Sequence, residues 1–199
     1  PDIIYPGKVS WEQCSSEATA RYKAGIVNAN VITDLTGGYG VDAFFMAQKA
    51  GTYNYLERNK ELLSIARWNM EVLNNNNISF YNTDAFEFLR SAPTSGLIYV
   101  DPARRDKNNN KVFRLADCEP DIIAHFHLIK SKASKILIKT SPMADIRLIL
   151  KELESVKEVH VVAVDNECKE VLYYLDVNYS GPTIIFAINI KGEKHDSLS

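Results

Sequence analysis

Four acidic residues stand at comparable places, each just after a short apolar run. They are Asp34 in VITDLTGGYG, Glu57 in TYNYLERN, Asp84 in ISFYNTDAFEF and Asp101 in GLIYVDPARR. The first is followed at once by Thr36 and by glycines at 37, 38 and 40. Glycines at such a turn let the backbone take positive φ and come close to a ligand. A helix starting there offers unpaired N–H groups and the positive end of its dipole. An acid at the end of the second strand, here Glu57, can accept hydrogen bonds from ribose hydroxyls. Turn, acid and spacing together describe a site for a ligand that carries a nucleoside.

A nicotinamide dinucleotide would share much of this geometry. Its fingerprint is G-x-G-x-x-G, with the pyrophosphate over the helix start. Gly38-Tyr39-Gly40 continues here as Val41-Asp42-Ala43, so Ala43 holds the third glycine position and Asp42 would repel a pyrophosphate. Asp34 and Thr36 suit the ammonium of an amino acid instead, which favours S-adenosylmethionine. Asp84 could equally be a helix cap, and Glu57 a solvated strand end.

Asp101 is followed by Pro102, which stiffens the turn and has no N–H to compete for a substrate. The next residues are Ala103, Arg104 and Arg105, and the loop adds Lys107, Lys111 and Arg114. Such a basic set can contact phosphate or form an ordinary solvated face, and Asp101 could simply pair with Arg104 or Arg105. Lys139, at the end of a later strand in KTSP, adds a further positive charge on the same expected edge.

These residues need a scaffold that brings strand ends together. The chain reads as a helix over 11–29 capped by Ser15 or Ser16, strands at 31–35, 52–57, 78–82 and 96–100, and helices at 41–51, 59–73 and 84–90. In the 59–73 helix the apolar spacing puts Leu62, Ala66, Met70 and Leu73 on one face. A further helix is expected over 118–130, a strand over 134–139 and a helix near 143–154. Three β-rich runs follow, joined by short turns. Strands alternating with helices imply a parallel sheet covered on both faces. The expected class is α/β, doubly wound and mainly parallel, Rossmann-like, with antiparallel strands at the C-terminal end. The expected organisation is an N-terminal helical extension over 1–29, one domain over 30–190, and a tail over 191–199 that could lead into a further domain. Starting at Pro-Asp-Ile-Ile, the chain reads as a fragment or a processed form.

Composition sets outer limits. The 199 residues are 46% hydrophobic and 24% charged, with a net charge of −2, ordinary values for a globular domain. No apolar run approaches the ~18 residues of a membrane span, so no membrane partner is expected. Cys14, Cys118 and Cys168 are three in number, far apart and without a CxxC pair, which points to the reducing cytoplasm and away from a disulfide framework or zinc. The four histidines offer no metal spacing, so no metal is expected. Cys168, alone in NECKE, reads as structural rather than nucleophilic. The oligomeric state is not legible.

Asp34-x-Thr36-x-Gly38-x-Gly40 resembles motif I of class I S-adenosylmethionine-dependent methyltransferases, with Thr36 where the commonest form has glycine. DLTGGYGVDAF and YLERN are similar to stretches of bacterial ribosomal RNA guanine-N2 methyltransferases. EQCSSEATARYKA, DPARR and NECKE together resemble the bacterial methyltransferases that carry a THUMP-like domain, over residues 11–175. This resemblance implies the class I methyltransferase fold, S-adenosylmethionine as cofactor and RNA, tRNA or rRNA, as the expected partner. It implies cofactor-binding roles for Asp34, Thr36, Gly38, Gly40, Glu57, Arg58, Asp84 and Ala85, with Glu57 on the ribose and Asp84 on the adenine amino group. It places Asp101, Pro102 and Arg104 at the methyl acceptor. Enzymes acting on exocyclic amines show an aromatic residue after the prolines, to stack on a flipped base. Ala103 and Arg104 depart from that pattern, which puts base methylation by the usual amine mechanism in doubt. A small-molecule or protein methyltransferase, or a module that binds without catalysis, stays open. Gln13, Ser15, Ser16 and Thr19 are expected to border the cofactor or to cap a packing helix.

Overall fold

Ser16 starts the first helix: its Oγ accepts the Thr19 N–H at 3.2 Å, and α1 runs Glu17–Ile26. The computed structural model describes residues 2–5, 14–104, 114–192 and 194–198. Residues 11–13 of the expected 11–29 helix lie outside these, and residues 14–16 are not helical. Thr19, Ala20, Lys23 and Ala24 form the buried stripe of α1, so a lysine sits among small residues. The chain divides into two compact units, residues 1–97 and 98–199.

In the first unit, β1 (Val31–Asp34), β2 (Thr52–Leu56) and β3 (Ile78–Tyr81) pair in parallel in that order. The helices α2 (Val41–Ala47) and α3 (Lys60–Val72) connect them, and α4 (Ala85–Ser91) follows β3. The side chain of Asn59 begins α3 by accepting the N–H groups of Glu61 and Leu62. The buried face of α3 is Leu63, Ala66 and Met70, with Leu73 39% exposed. The face is thus turned from the expected one, because Leu63 rather than Leu62 meets the core. The strand β4 (Ser95–Val100) begins beside β1. There Thr33 Oγ1 and Ser95 Oγ lie 2.7 Å apart, and Asn54 Nδ2 donates to Thr33 Oγ1 at 3.0 Å. This short network satisfies polar groups that the sheet would otherwise strand.

In the second unit the strand order is β4, β7 (Ala133–Thr140), β9 (Glu167–Asp176), β8 (Val156–Val164), β10 (Ile184–Lys191) and β11 (Lys194–Leu198). β9 runs antiparallel to both of its neighbours, and β11 is antiparallel to β10. β8 and β9 form a hairpin whose tip, Asp165 and Asn166, has φ of 50° and 66°. β10 does not extend this hairpin as a third meander strand. It returns through residues 177–183 to the other side of β8 and pairs with it in parallel. The hairpin tip is held by β10. Asp165 N–H donates to the Ile190 carbonyl at 3.0 Å, and Asn166 N–H to Asn189 Oδ1 at 3.0 Å.

The helix expected over 118–130 is much shorter. Cys118–Glu119 forms β6 and pairs antiparallel with β5 (Ala103–Arg104). Pro120 disfavours helical backbone at Glu119 and lacks an N–H, so α5 begins only at Phe126 and ends at Lys132. The helix expected near 143–154 is α6 (Ile146–Glu152), started by Asp145, whose Oδ1 accepts the Leu148 N–H at 3.1 Å. The fold is α/β with mainly parallel strands and antiparallel strands at the C-terminal end, as the alternation of runs implied.

Candidate functional site

Asp34 closes β1 and is 1% exposed. Its Oδ1 accepts the Thr36 N–H at 2.9 Å and the Thr36 hydroxyl at 3.4 Å, while Oδ2 accepts the Tyr53 hydroxyl at 2.9 Å. The carboxylate therefore braces the glycine turn against β2. Tyr55, two residues along, donates its hydroxyl to the Gly38 carbonyl. Burial pushes both phenols well above the ordinary tyrosine value, and the Asp34 charge adds to it. Both rings remain hydrogen-bond donors at neutral pH.

The three glycines are used differently. A Cβ on Gly37 would lie 2.3 Å from the Tyr55 ring, so close approach is what that position requires. Gly38 and Gly40 have φ of 61° and 83°, where a side chain is strained. Gly40 is the residue before α2. The turn is also tied to Glu57: Gly38 N–H donates to Oε2 at 3.1 Å, and Asn59 N–H to Oε1 at 2.7 Å. Each oxygen of an ionised carboxylate has two acceptor positions, so one backbone bond apiece leaves capacity for a pair of vicinal hydroxyls.

Asp84 is the N-cap of α4, with Oδ1 accepting from Phe86 N–H at 2.9 Å and Glu87 N–H at 3.1 Å. Both bonds use one oxygen. Ala85 is the first residue of α4, where a backbone N–H has no partner within the helix. An acceptor and a donor thus stand side by side, the pattern that reads the amino edge of a purine. Asn82 ties the ends of β2 and β3 together, donating to the carbonyls of Glu57 at 2.8 Å and Arg58 at 2.9 Å. Arg58 itself is exposed. Asp34 is thus bonded to Thr36 and Glu57 to Gly38, Gly40 N–H donates to the Gly37 carbonyl at 3.1 Å within the same turn, and Asp84 and Ala85 follow the adjoining strand.

The start of α2 carries an arrangement the sequence reading did not anticipate. Lys23 of α1 is fully buried, and its ammonium lies 3.2 Å from Asp42 Oδ1, an ion pair rather than an aligned hydrogen bond. Ser15 Oγ donates to Asp42 Oδ2 at 2.9 Å and receives Lys23 Nζ at 3.2 Å. The charge of Asp42 is thus balanced from within the protein, which weakens the expected repulsion of a pyrophosphate. Ser15 and Ser16 act as anchor and cap, and the Thr19 hydroxyl donates to the Ser16 carbonyl at 3.1 Å. Gln13 lies outside the described residues. The buried lysine was detectable, since Lys23 interrupts the small-residue stripe of α1. Tyr53 and Tyr55 alternate correctly for one face of β2, but nothing in the sequence marked their hydroxyls as braces.

In the second unit, Asp101 follows β4, and Pro102 beside it is buried. Lys139, on β7, places Nζ 2.5 Å from Asp101 Oδ2, with the two side chains 14% and 34% exposed. The sequence left open a pairing of Asp101 with Arg104 or Arg105, whose side chains lie outside the described part, and placed Lys139 only as a charge on the same edge. The Arg104 backbone pairs with Cys118. The Arg104 side chain and residues Arg105, Lys107 and Lys111 lie outside the described part, and Arg114 is exposed. Cys168 is exposed at the start of β9, and partial desolvation raises its thiol above the ordinary value. An activated nucleophile needs the opposite shift. Glu170, in the same NECKE stretch, is 1% exposed. Among the described residues no cluster of three metal-ligating side chains occurs, and no helix is long and apolar enough to cross a membrane.

No protein-family model matches the chain. It is similar to the "Uncharacterized RNA methyltransferase" of Mycoplasma mobile, 29% identical over 100 residues, which are 50% of this chain and 27% of that protein. The crystal structure of a "putative methyltransferase" from Porphyromonas gingivalis W83 superposes over 99% of this chain with a TM-score of 0.87 and 35% identity. A "putative methyltransferase" from Streptococcus mutans in complex with SAH superposes over 87% of this chain and 99% of its own, with a TM-score of 0.56 and 12% identity. The fold is that of methyltransferase structures. The chain spans about half the length of the Porphyromonas protein, 51%, and 27% of the Mycoplasma one.

Proposed function

We propose that this chain is the catalytic part of a methyltransferase that uses S-adenosylmethionine and acts on RNA. The observation that carries the reading is Glu57, held at the end of β2 by the N–H groups of Gly38 and Asn59. Its carboxylate is fixed, partly open and still able to accept two vicinal hydroxyls. The residues fit the cofactor in detail. Glu57 takes the ribose, Asp84 and the Ala85 N–H take the adenine edge, and Arg58 flanks it. The backbone at Gly38 and Gly40 admits the chain of the molecule, while Asp34 and Thr36 hold the turn against its amino-acid end. When bound, the cofactor supplies a methyl group on a sulfonium. The protein's contribution is then positioning and proton acceptance. Asp101 and Pro102 orient the acceptor, and Arg104 with its basic loop contacts phosphate. The Mycoplasma relative supports RNA as the acceptor class. A THUMP-like domain in the full-length protein and a cytoplasmic location belong to the same proposal.

Thermal shift with S-adenosylmethionine, S-adenosylhomocysteine and NAD in parallel tests the cofactor. The first two should stabilise the protein. Glu57→Ala should weaken that binding by about tenfold or more, the worth of a charge-assisted hydrogen bond. Stabilisation by NAD alone overturns the reading.

A further inference from the structure

We infer that Asp34 serves the cofactor without touching it: Tyr53 holds its carboxylate inside the sheet, where it sets the glycine turn for every ligand that carries adenosine. This rests on the methyltransferase reading above. Residue types alone pointed Asp34 at the ammonium of the cofactor's amino-acid end. A side chain that takes a ligand must present an atom to it, and Asp34 is 1% exposed. Its two oxygens are also in use. Oδ1 accepts both the N–H and the hydroxyl of Thr36, and Oδ2 accepts the Tyr53 hydroxyl. Turning the carboxylate outward would take the acceptor from a hydroxyl on a fully buried ring, a costly loss inside a protein.

Strand register builds this arrangement. Ile32 pairs with Tyr53, and Asp34 with Tyr55, across the parallel β1–β2 ladder. Side chains two apart share a face of the sheet, so both tyrosines stand beside Asp34 on one side. Each reaches a different part of the turn. Tyr53 donates to the acid, while Tyr55 donates to the Gly38 carbonyl and packs its ring where a Gly37 side chain would be. The Gly38 N–H is donated to Glu57, the residue proposed to take the ribose. Thr36 and Gly38 are two residues apart, so a shift at Asp34 reaches the ribose site through the backbone of the turn. Loss of the brace lowers the fraction of molecules whose turn is set for binding. The apparent affinity for every ligand that uses the turn then falls by that same fraction. Asp34 and Tyr53 are positioning residues in this sense.

The test uses the full-length protein with two ligands, S-adenosylhomocysteine and 5′-methylthioadenosine. The second keeps the adenosine and the thioether but has no ammonium or carboxylate. Isothermal titration gives the Kd of each ligand for the parent protein, Asp34→Asn and Tyr53→Phe. Both variants should raise both Kd values by a common factor of about three- to tenfold, the worth of one hydrogen bond. Direct contact with the ammonium gives a different split. Asp34→Asn would then weaken S-adenosylhomocysteine by about tenfold or more, the worth of a charge-assisted bond, and leave 5′-methylthioadenosine unchanged. Tyr53→Phe would free Oδ2 and leave both Kd values unchanged or lower. Either of these results overturns the inference while the cofactor reading stands. Binding of S-adenosylhomocysteine without 5′-methylthioadenosine by the parent protein also overturns it. Failure of the parent protein to bind S-adenosylhomocysteine overturns the cofactor reading, and the inference with it. Tyr53→Phe keeps both the ring and the carboxylate, so it decides the question even where Asp34→Asn does not fold.

Discussion

Removing Lys23 should cost the protein far more than a surface lysine would. Its side chain has no exposed area, and its ammonium faces Asp42 at 3.2 Å with Ser15 bridging both. Lys23→Met removes the buried ammonium from beside Asp42, which is 12% exposed. Breaking one half of a buried pair costs about 3–5 kcal/mol, because the remaining charge is uncompensated. A protein of this size is stabilised by roughly 5–15 kcal/mol in all, so the single variant approaches the unfolding threshold. Asp42→Asn should be at least as harmful, since it leaves the fully buried charge behind. The double variant Lys23→Met/Asp42→Asn removes both charges and should recover most of the loss. Urea unfolding followed by circular dichroism of the four proteins gives the coupling energy directly. A coupling under about 0.5 kcal/mol, the usual scatter for independent sites, refutes the claim that the pair acts as a unit.

Two further outcomes follow from the same structure. Gly37→Ala forces a Cβ to within 2.3 Å of the Tyr55 ring. It should lose about 1–3 kcal/mol by overpacking, measured by urea unfolding, together with loss of S-adenosylmethionine binding in the thermal shift. His160 is 5% exposed, stacked on Phe186, and burial holds its pKa below the ordinary value of 6.5 against the opposing pull of Glu158. A lowered value means the folded state binds fewer protons than the unfolded chain, so this residue makes stability fall as pH drops below about 6.5. His160→Phe should flatten the stability profile between pH 7.5 and 5.5. Equal slopes for the variant and the parent protein would contradict this.

The scaffold was largely legible because its signals are local. Apolar runs ending in acids gave β1 to β4, and glycine gave the turn. The misreadings arise where distant partners or single prolines decide. Pro120 undid an otherwise helical stretch, and β10 chose β8 across the hairpin, a pairing that no short-range pattern encodes. In the site, Asp34, Glu57 and Asp84 were readable as types at strand ends. Their bonds were not, since Tyr53, Tyr55 and Asn82 reach them only after the strands align. Lys139 was visible as a charge near an edge. That it pairs with Asp101 depends on β7 lying beside β4.

The hold of β10 on the hairpin tip changes what that tip can report. In an isolated hairpin the amides of Asp165 and Asn166 face water and exchange with solvent deuterium within moments. Here both are donated to β10, one to the Ile190 carbonyl and one to the Asn189 side chain, which in turn donates Nδ2 to Asn166 Oδ1 at 2.7 Å. Their exchange is therefore governed by the departure of β10 and not by fraying of β8 from β9. Two turn amides become a clock for the docking of a strand more than twenty residues away in the chain.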